Sequence, residues 1–528
     1  MLCSVLRYPK SGVLSLVVCC QPMRFSARYP KIRGQRCTSR MQRGTQTGVT
    51  SGFGNLSLVN VQVVPSDAYR KDVSLSSLKM IISDAISSQI VKIYVPSNRI
   101  IIHSLPHYSH LTSHTSCTMS PSRIEKPSQV LIIGGGLGGL ALAQGLKKAS
   151  VPFHIFEQDP SADFRPQGYR LKINGDGASA LKKVLSEELW TQFEETCAES
   201  KPGETNFNAI SALVTNSRAG PGLRGGPTPY LADRTVLRNI LRTGLEEHIS
   251  YGKKFSSYTI EEEGITATFA DGTTYEGVLL VGADGVRSGV RKQYQPEHKI
   301  IDTNGRCIYG KTPMSEELIQ RFPSRATRWM TLIVDQTPMT QTLDIDETPL
   351  TLLLEPVRFQ NNKHRKNLPD NYVYWVLIAR SDLFGKPDTE LLRLNAEDSA
   401  ALSLKLTEEW DPSIRSIFEL QDISQSSTLR VSSAKPEIPF WTPSERITLV
   451  GDAVHVMSPC GGVGAVTALR DASVLASKIA ENGINTKSIG AYEAEMRVYA
   501  KMMIERSYFG GKKMFGHRPF GECAPLEL

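Results

Sequence analysis

The chain has 528 residues, 40% hydrophobic and 22% charged, with a formal net charge of +8. At roughly 100–200 residues per domain, that length provides two to three domains with ample core. The composition excludes collagen-like repeats, a disulfide miniprotein and wholesale disorder. The charge is unevenly distributed: residues 1–124 hold 15 Lys/Arg against Asp67, Asp72 and Asp84, a net of +12. Residues 125–528 hold 46 against 50, a net of −4, so the basicity gives no reason to expect nucleic acid as a partner.

No Asp or Glu precedes Asp67, whereas Arg7, Lys10, Arg24, Arg28 and Lys31 do. A basic, Ser-rich, acid-free start has the composition of an organellar transit peptide, which would imply a mitochondrial location if 1–60 act as one. The apolar run 13–20 could alternatively be the core of a secretory signal, and it is too short to span a bilayer. A third reading takes 1–118 as surplus sequence, with the functional start at Met119. His103, His107, His110 and His114 fall at helical spacing, but Pro106 interrupts them and no carboxylate or Cys pair completes a metal site. No metal is expected. The nine cysteines contain no CxxC, as in a reduced intracellular, cytoplasmic protein.

The first nucleotide motif follows. Residues 129–133 (QVLII) form an apolar run suited to a buried parallel strand, leading into Gly134-Gly-Gly136-Leu-Gly-Gly139 and a helical stretch. In G-x-G-x-x-G the first glycine makes the turn and the second admits a pyrophosphate. The third lets helix and strand pack closely, and the helix N-terminus favours negative charge. A second apolar strand, 153–156, ends in Glu157, where a carboxylate suits ribose hydroxyls. NAD and FAD both satisfy this pattern.

Residues 270–273 (ADGT) predict a hairpin turn, and 278–285 (VLLVGADG) a buried strand ending at Asp284. Residues 297–442 carry no nucleotide motif and read as strand-rich: TRWMTLIV, TQTLDID, PLTLLLEPVRF and YVYWVLIAR. The last two suit a sheet with one face buried, separated by an exposed loop at 361–370. Residues 447–454 (ITLVGDAV) predict another buried strand ending at Asp452. A glycine-rich loop then opens a helix with Leu469, Ala472, Ala476 and Ile479 on its apolar face and Gly483 at its C-terminal cap. Such a helix N-terminus suits the anion of a reduced flavin. His455 and Cys460 read as packed or loop residues.

Gly134-x-Gly-x-x-Gly139, GADG at 282–285 and GDAVHVMSPCGGVGA at 451–465 together resemble the group A FAD-dependent monooxygenases, the p-hydroxybenzoate hydroxylase-like family, in its fungal secondary-metabolism branch. The likeness covers roughly residues 127–510. It implies an α/β fold: a Rossmann-like FAD-binding domain interleaved with a mixed-sheet (α+β) substrate domain, following an N-terminal extension expected to be disordered. The FAD parts would be 127–203, 233–296 and 443–528, the last with a C-terminal helix. The substrate parts would be a hairpin at 204–232 and the segment 297–442.

By this resemblance Glu157 binds the adenosine ribose, Asp284 lies near the pyrophosphate, and Asp452 holds the ribityl or pyrophosphate region. Gly464 and Ala465 offer N–H groups to the isoalloxazine. The stretch PQGYRLKINGDG at 166–177 implicates Gly168 and Lys172, and ADRTVLRNIL at 232–241 implicates Arg234. Tyr309 and Pro459 are pocket candidates, with Trp329, Tyr374 and Trp375 as further aromatic ones. Many relatives carry Asn after the Ala, where this chain has Val466; the backbone contacts survive that change but a side-chain hydrogen bond would not.

The implied reaction uses FAD, NADPH or NADH as transient reductant, and O₂. It hydroxylates or epoxidises an electron-rich aromatic, polyketide or terpenoid-type small molecule through a C4a-hydroperoxyflavin. The alternatives are an NAD-dependent dehydrogenase, which the late Gly451-Asp452 motif opposes, and a flavin-binding protein without catalysis. A flavin-dependent halogenase would need a Trp-x-Trp-x-Ile-Pro motif that the sequence lacks.

Overall fold

A computed structural model describes residues 14–18, 59–63, 92–94, 101–103, 128–164, 168–220, 228–335 and 349–526. The chain divides into two compact units, Met1–Pro121 and Ser122–Leu528. In the first, Leu14–Val18 pairs antiparallel with Val59–Val63, and Lys92–Tyr94 with Ile101–His103. His103 thus closes a strand. His107, His110, His114, the start at Met119 and the TQTLDID run lie outside the described residues.

The second unit is built on a five-stranded parallel sheet. In chain order its strands are β1 (Val130–Ile133), β2 (Phe153–Phe156), β3 (Ile249–Ser250), β4 (Leu279–Gly282) and β5 (Ile447–Leu449). Their spatial order is β3-β2-β1-β4-β5. Every residue of β1, β4 and β5 is buried, which accounts for their unbroken apolar sequences. One face is covered by α1 (Leu137–Lys148), α2 (Gly175–Val184) and α3 (Gly464–Asn482), all joined in one apolar core with the sheet. A Cβ on Gly145 would lie 2.6 Å from Cβ of Ala476, so the small residue sets how closely α1 and α3 cross. The antiparallel meander 255–277 supplies Phe269 and Tyr275, each packed on Phe156 at 4.6 Å between ring centroids.

A seven-stranded, mostly antiparallel sheet forms the second layer, and within it Met330–Val334 runs parallel to Gly203–Asn208. The expectation of one buried face is corrected here. Thr351–Val357 and Tyr372–Arg380 are buried on both faces. Trp375, Leu377, Leu352 and Leu354 pack with Trp410, Ile414 and Phe418, whereas Tyr309, Val376 and Ile378 pack with Met514 and Phe515. The covering helices, Ala396–Leu406 and Pro412–Glu419, lie in the segment read as strand-rich. Their start signals were present: Asn395 and Asp411 cap them, and Pro412 occupies the first helical turn.

The 30-residue C-terminal helix, Thr486–Phe515, joins the two layers. The Tyr492 hydroxyl donates to the Leu449 carbonyl at 2.7 Å, and the Thr351 hydroxyl donates to the Met514 carbonyl at 2.7 Å.

Candidate functional site

The carboxyl ends of β2, β1, β4 and β5 lie side by side, so Glu157, Gly134, Asp284 and Asp452 leave the sheet along one edge. Gly134 has φ +111°, and a Cβ there would come within 2.4 Å of the Ala283 carbonyl oxygen. A Cβ on Gly139 would lie 2.1 Å from the Gly134 carbonyl oxygen, whereas one on Gly136 would meet nothing within 4 Å. The three glycines therefore divide as the motif requires: two close contacts inside the protein, and one face left open.

Helix termini locate the open positions. Six of the eight described helices of at least eight residues carry a side-chain N-cap: Asn174, Ser186, Asp233, Asn395, Asp411 and Asn485. The remaining two, α1 and α3, have none, and no acid in the first turn. Their leading N–H groups and positive dipole ends are free for an anion. Gly464 and Ala465 occupy the half-exposed first turn of α3, and Pro459 lies exposed in the loop leading to it.

The carboxylates differ in what they hold. Buried Glu157 accepts from the N–H groups of Gly135 at 2.8 Å and Asp159 at 2.9 Å, with Arg238 at 4.0 Å. Asp284 closes its own turn, accepting from the Ser288 hydroxyl at 2.5 Å and the Gly289 and Val290 N–H groups at 2.8 and 3.2 Å. Burial pushes the Asp284 carboxyl up, opposed by these bonds. Asp452 is exposed to solvent, with the charges of His455 and Arg234 drawing on its carboxylate.

The turn carrying Asp452 is fastened from behind. Arg291 donates to the Ala453 carbonyl at 2.9 Å, and the His298 ring meets the Val454 carbonyl at 2.6 Å. Asp471 accepts from the Gly451 N–H at 2.8 Å and bonds buried His455 at 2.5 Å. His455 is thus a packed residue with a charged partner. Burial disfavours its cation, but Asp471 and Asp452 outweigh this and lift its pKa above the ordinary 6.5. A histidine raised on folding adds stability that is complete below about pH 6.5 and lost as pH rises through the higher folded value. His455→Gln is expected to remove that alkaline decline from a series of denaturant melts, and an unchanged pH profile would refute the assignment.

Around the strand Arg170–Ile173, a Cβ on Gly168 would meet Thr235 Oγ1 at 2.6 Å and Asp233 Oδ1 at 2.9 Å. Lys172 sits 3.4 Å from Glu355, which also takes Arg170 at 2.7 Å. Arg234 lies over the Tyr169 ring at 5.3 Å, and Tyr169 meets Tyr309 edge-on at 5.7 Å. Burial raises the pKa of Tyr309 beyond the usual phenol range, so it remains a neutral wall. Tyr374 shares this face under Arg170 at 5.3 Å. Trp375 does not: it points to the opposite face, against Phe418 at 5.0 Å. Trp329 is anchored through its indole N–H to Thr205 at 2.5 Å.

Sequence reasoning missed Asp233. Its carboxylate caps Arg234–Arg242 through the Thr235 and Val236 N–H groups and accepts from Tyr372 at 2.8 Å and Lys311 at 3.1 Å. An Asp directly before an Arg-x-x-Leu helix is a cap signal and could have revealed the first of these roles.

Val466 is 1% exposed, and its Cγ2 lies 3.0 Å from where a Cβ on Gly177 would stand. The position is part of the α2–α3 packing. Val466→Asn is expected to bury an unpartnered amide and cost about 1–3 kcal/mol in chemical denaturation; a neutral or stabilising effect would show that a polar partner exists.

A parallel sheet with two uncapped helix ends and a glycine cradle at its carboxyl edge defines a dinucleotide-binding α/β protein. The chain belongs to the FAD binding domain family, whose pattern matches residues 127–306 and 415–507. It is 48% identical over 439 residues to a dual O-methyltransferase/FAD-dependent monooxygenase of Phaeosphaeria nodorum, covering 76% of this chain and 47% of that one. It is 44% identical to a protein of the same description from Cercospora beticola, over 75% of this chain and 47% of the other. The chain therefore spans about half the length of these relatives. An FAD-dependent monooxygenase of Trichoderma harzianum is 27% identical over 76% of this chain and 96% of its own. Among solved structures, a proposed FAD-containing monooxygenase from Photorhabdus luminescens superposes with a TM-score of 0.61 at 30% identity, covering 73% of this chain and 98% of that one. No described helix is long and apolar enough to cross a membrane, and no group of three or more potential metal ligands occurs among the described residues.

Proposed function

We propose that the protein is an FAD-dependent monooxygenase that uses NADPH or NADH and O₂ to hydroxylate or epoxidise an electron-rich aromatic, polyketide or terpenoid-type molecule in secondary metabolism. The observation that carries this reading is the pair of uncapped helix N-termini at one sheet edge, with exposed Asp452 on the neighbouring strand end. In this reading 127–203, 233–296 and 443–528 hold FAD, and 204–232 with 297–442 hold the substrate.

The residues fit the cofactor. Gly134, Gly136 and Gly139 shape the cradle, and the N-terminus of α1 receives the pyrophosphate. Glu157 would exchange part of its bonding to the Gly135 N–H for the adenosine ribose. Asp452 and Arg234 take the ribityl and pyrophosphate region, while Gly168 and Lys172 line the approach from the adjoining strand. Asp284 acts through the turn it closes. The N–H groups of Gly464 and Ala465 would offer donors and a positive dipole end to negative charge on the isoalloxazine. Bound FAD supplies the electron transfer from NAD(P)H and the transfer of one oxygen atom from O₂. The protein's own contribution is to orient the substrate and exclude water, for which Tyr309, Val376 and Met514 offer a closely packed wall.

The test is NAD(P)H-dependent oxygen consumption by the FAD-reconstituted chain, with isotopically labelled O₂ and a panel of phenols and polyketides. Incorporation of a single labelled oxygen atom supports the reading. Bound flavin that neither NADPH nor NADH reduces would favour flavin binding without catalysis.

A further inference from the structure

A second charged site lies outside the cofactor cradle, on the substrate sheet. The segment after the helix Glu187–Thr196, the 3₁₀ turn Ser324–Thr327 and the residue following Thr351–Val357 flank a surface groove of about 460 Å³ that is wide open to solvent. Its lining is Lys201, Ser324, Arg325, Thr327, Arg328 and Arg358: four cations, two hydroxyls and no carboxylate. The walls are tied together by backbone. The Glu199 N–H donates to the Arg358 carbonyl at 2.8 Å, and the Arg358 guanidinium donates to the Thr327 carbonyl at 3.0 Å. The groove is therefore formed before any ligand arrives.

Its charge is poorly balanced. Lys201 reaches Glu199 at 3.3 Å, whereas Arg325 and Arg328 have no carboxylate within ion-pair distance among the described residues, and Arg328 lies over the Trp329 ring at 4.3 Å. Partial burial lowers the Arg358 pKa, a sign that the guanidinium is held away from full hydration. Converging cations of this kind repel one another until an anion neutralises them. The volume lies in the range of organic ligands and exceeds what a bare ion fills. Guanidinium forks beside hydroxyl donors match phosphate oxygens. A separate space of about 10 Å³ shares Lys201, Arg328 and Arg358 with the groove and is lined also by Glu199, Trp329, Glu355 and Pro356. Glu355 is the carboxylate that holds Arg170 and Lys172.

We propose that this groove is a docking site for a phosphate-bearing organic anion, with Arg325 and Arg328 as its principal ligands. The same chemistry belongs to a nicotinamide dinucleotide and to a coenzyme A thioester, and direct measurement separates them.

Titration calorimetry on the FAD-saturated full chain, with inorganic pyrophosphate, NADPH, NADH and coenzyme A as probes, tests the proposal. FAD fills the other dinucleotide cradle, and the comparison of wild type with variant reads the groove even if FAD fails to load. Arg325 and Arg328 are exposed, so the double variant Arg325→Ala/Arg328→Ala keeps the fold, and Arg393→Ala serves as an exposed control. Pyrophosphate and one organic probe are expected to bind about tenfold or more weakly to the double variant, with the control unchanged and binding weakened by salt. Loss confined to NADPH and NADH identifies the dinucleotide; loss confined to coenzyme A identifies the thioester carrier. Absence of binding by all four probes, or equal binding by wild type and the double variant, overturns the proposal.

Discussion

Gly136→Val is expected to abolish tight flavin binding while leaving the apoprotein folded. The backbone at Gly136 has φ −76°, which any residue adopts, and an added Cβ would meet nothing within 4 Å. Exchanging glycine for valine at an N-cap costs the fold no more than about 1 kcal/mol. The branched side chain would nevertheless occupy the open face through which a pyrophosphate approaches the N–H groups of α1, and FAD affinity should fall by about a hundredfold or more. Gly139→Ala makes the opposite case. Its Cβ would lie 2.1 Å from the Gly134 carbonyl oxygen, a backbone atom that can move only by opening the turn. That variant should lose about 3 kcal/mol of stability, flavin present or absent. Thermal melts of both apoproteins alongside FAD titrations distinguish the two effects; equal destabilisation by both would show that Gly136 is also packed.

Asp233→Ala should be among the most damaging single substitutions in the second unit. Asp233 is 1% exposed, and one carboxylate serves both a helix cap and a buried charge. Its removal leaves Lys311 and the Tyr372 hydroxyl without their acceptor and uncaps Arg234–Arg242. Breaking a buried pair from one side costs about 3–5 kcal/mol. Asp233→Asn keeps the cap and loses only the charge, and should fall between wild type and Ala. Urea unfolding of the three proteins gives that order, and a loss below about 1 kcal/mol for Ala would refute the role. Because the helix begins at Arg234, the damage should also reach flavin affinity.

The nucleotide layer was readable because its signals are local. A buried parallel strand must be apolar throughout, and a glycine cradle needs glycine at fixed offsets. Residues 130–139, 279–285 and 447–465 therefore declare themselves without tertiary information. The hairpin at 270–273 and the Gly483 cap, with φ +75°, follow from the same local rules. Less was visible where burial on two faces removes alternation. Thr351–Val357 and Tyr372–Arg380 looked half-buried because nothing in them shows that Ala396–Leu406 and Pro412–Glu419 cover the second face. Those helices are short and were masked by the strand-rich sequence around them, although their caps were plain.

The site shows the same division. Glycines and strand-end acids could be named from spacing, but their partners could not. Asp284 spends its lone pairs on its own turn, and Asp471 pins Gly451 from 20 residues away in sequence. Asp233 gathers Tyr372 and Lys311, 139 and 78 residues distant. Such contacts arise only when the two sheets meet. Val466, which looked like a missing hydrogen bond, is a packing residue between two helices.

One FAD is expected to lie across the uncapped ends of α1 and α3. Titrating the apoprotein with FAD, followed by flavin absorbance and fluorescence and run in parallel on Gly136→Val, tests it most directly. The wild type should saturate at one FAD per chain, and the folded variant should bind FAD about a hundredfold or more weakly. A wild-type chain that takes up no flavin, or a variant that binds it equally well, would contradict it.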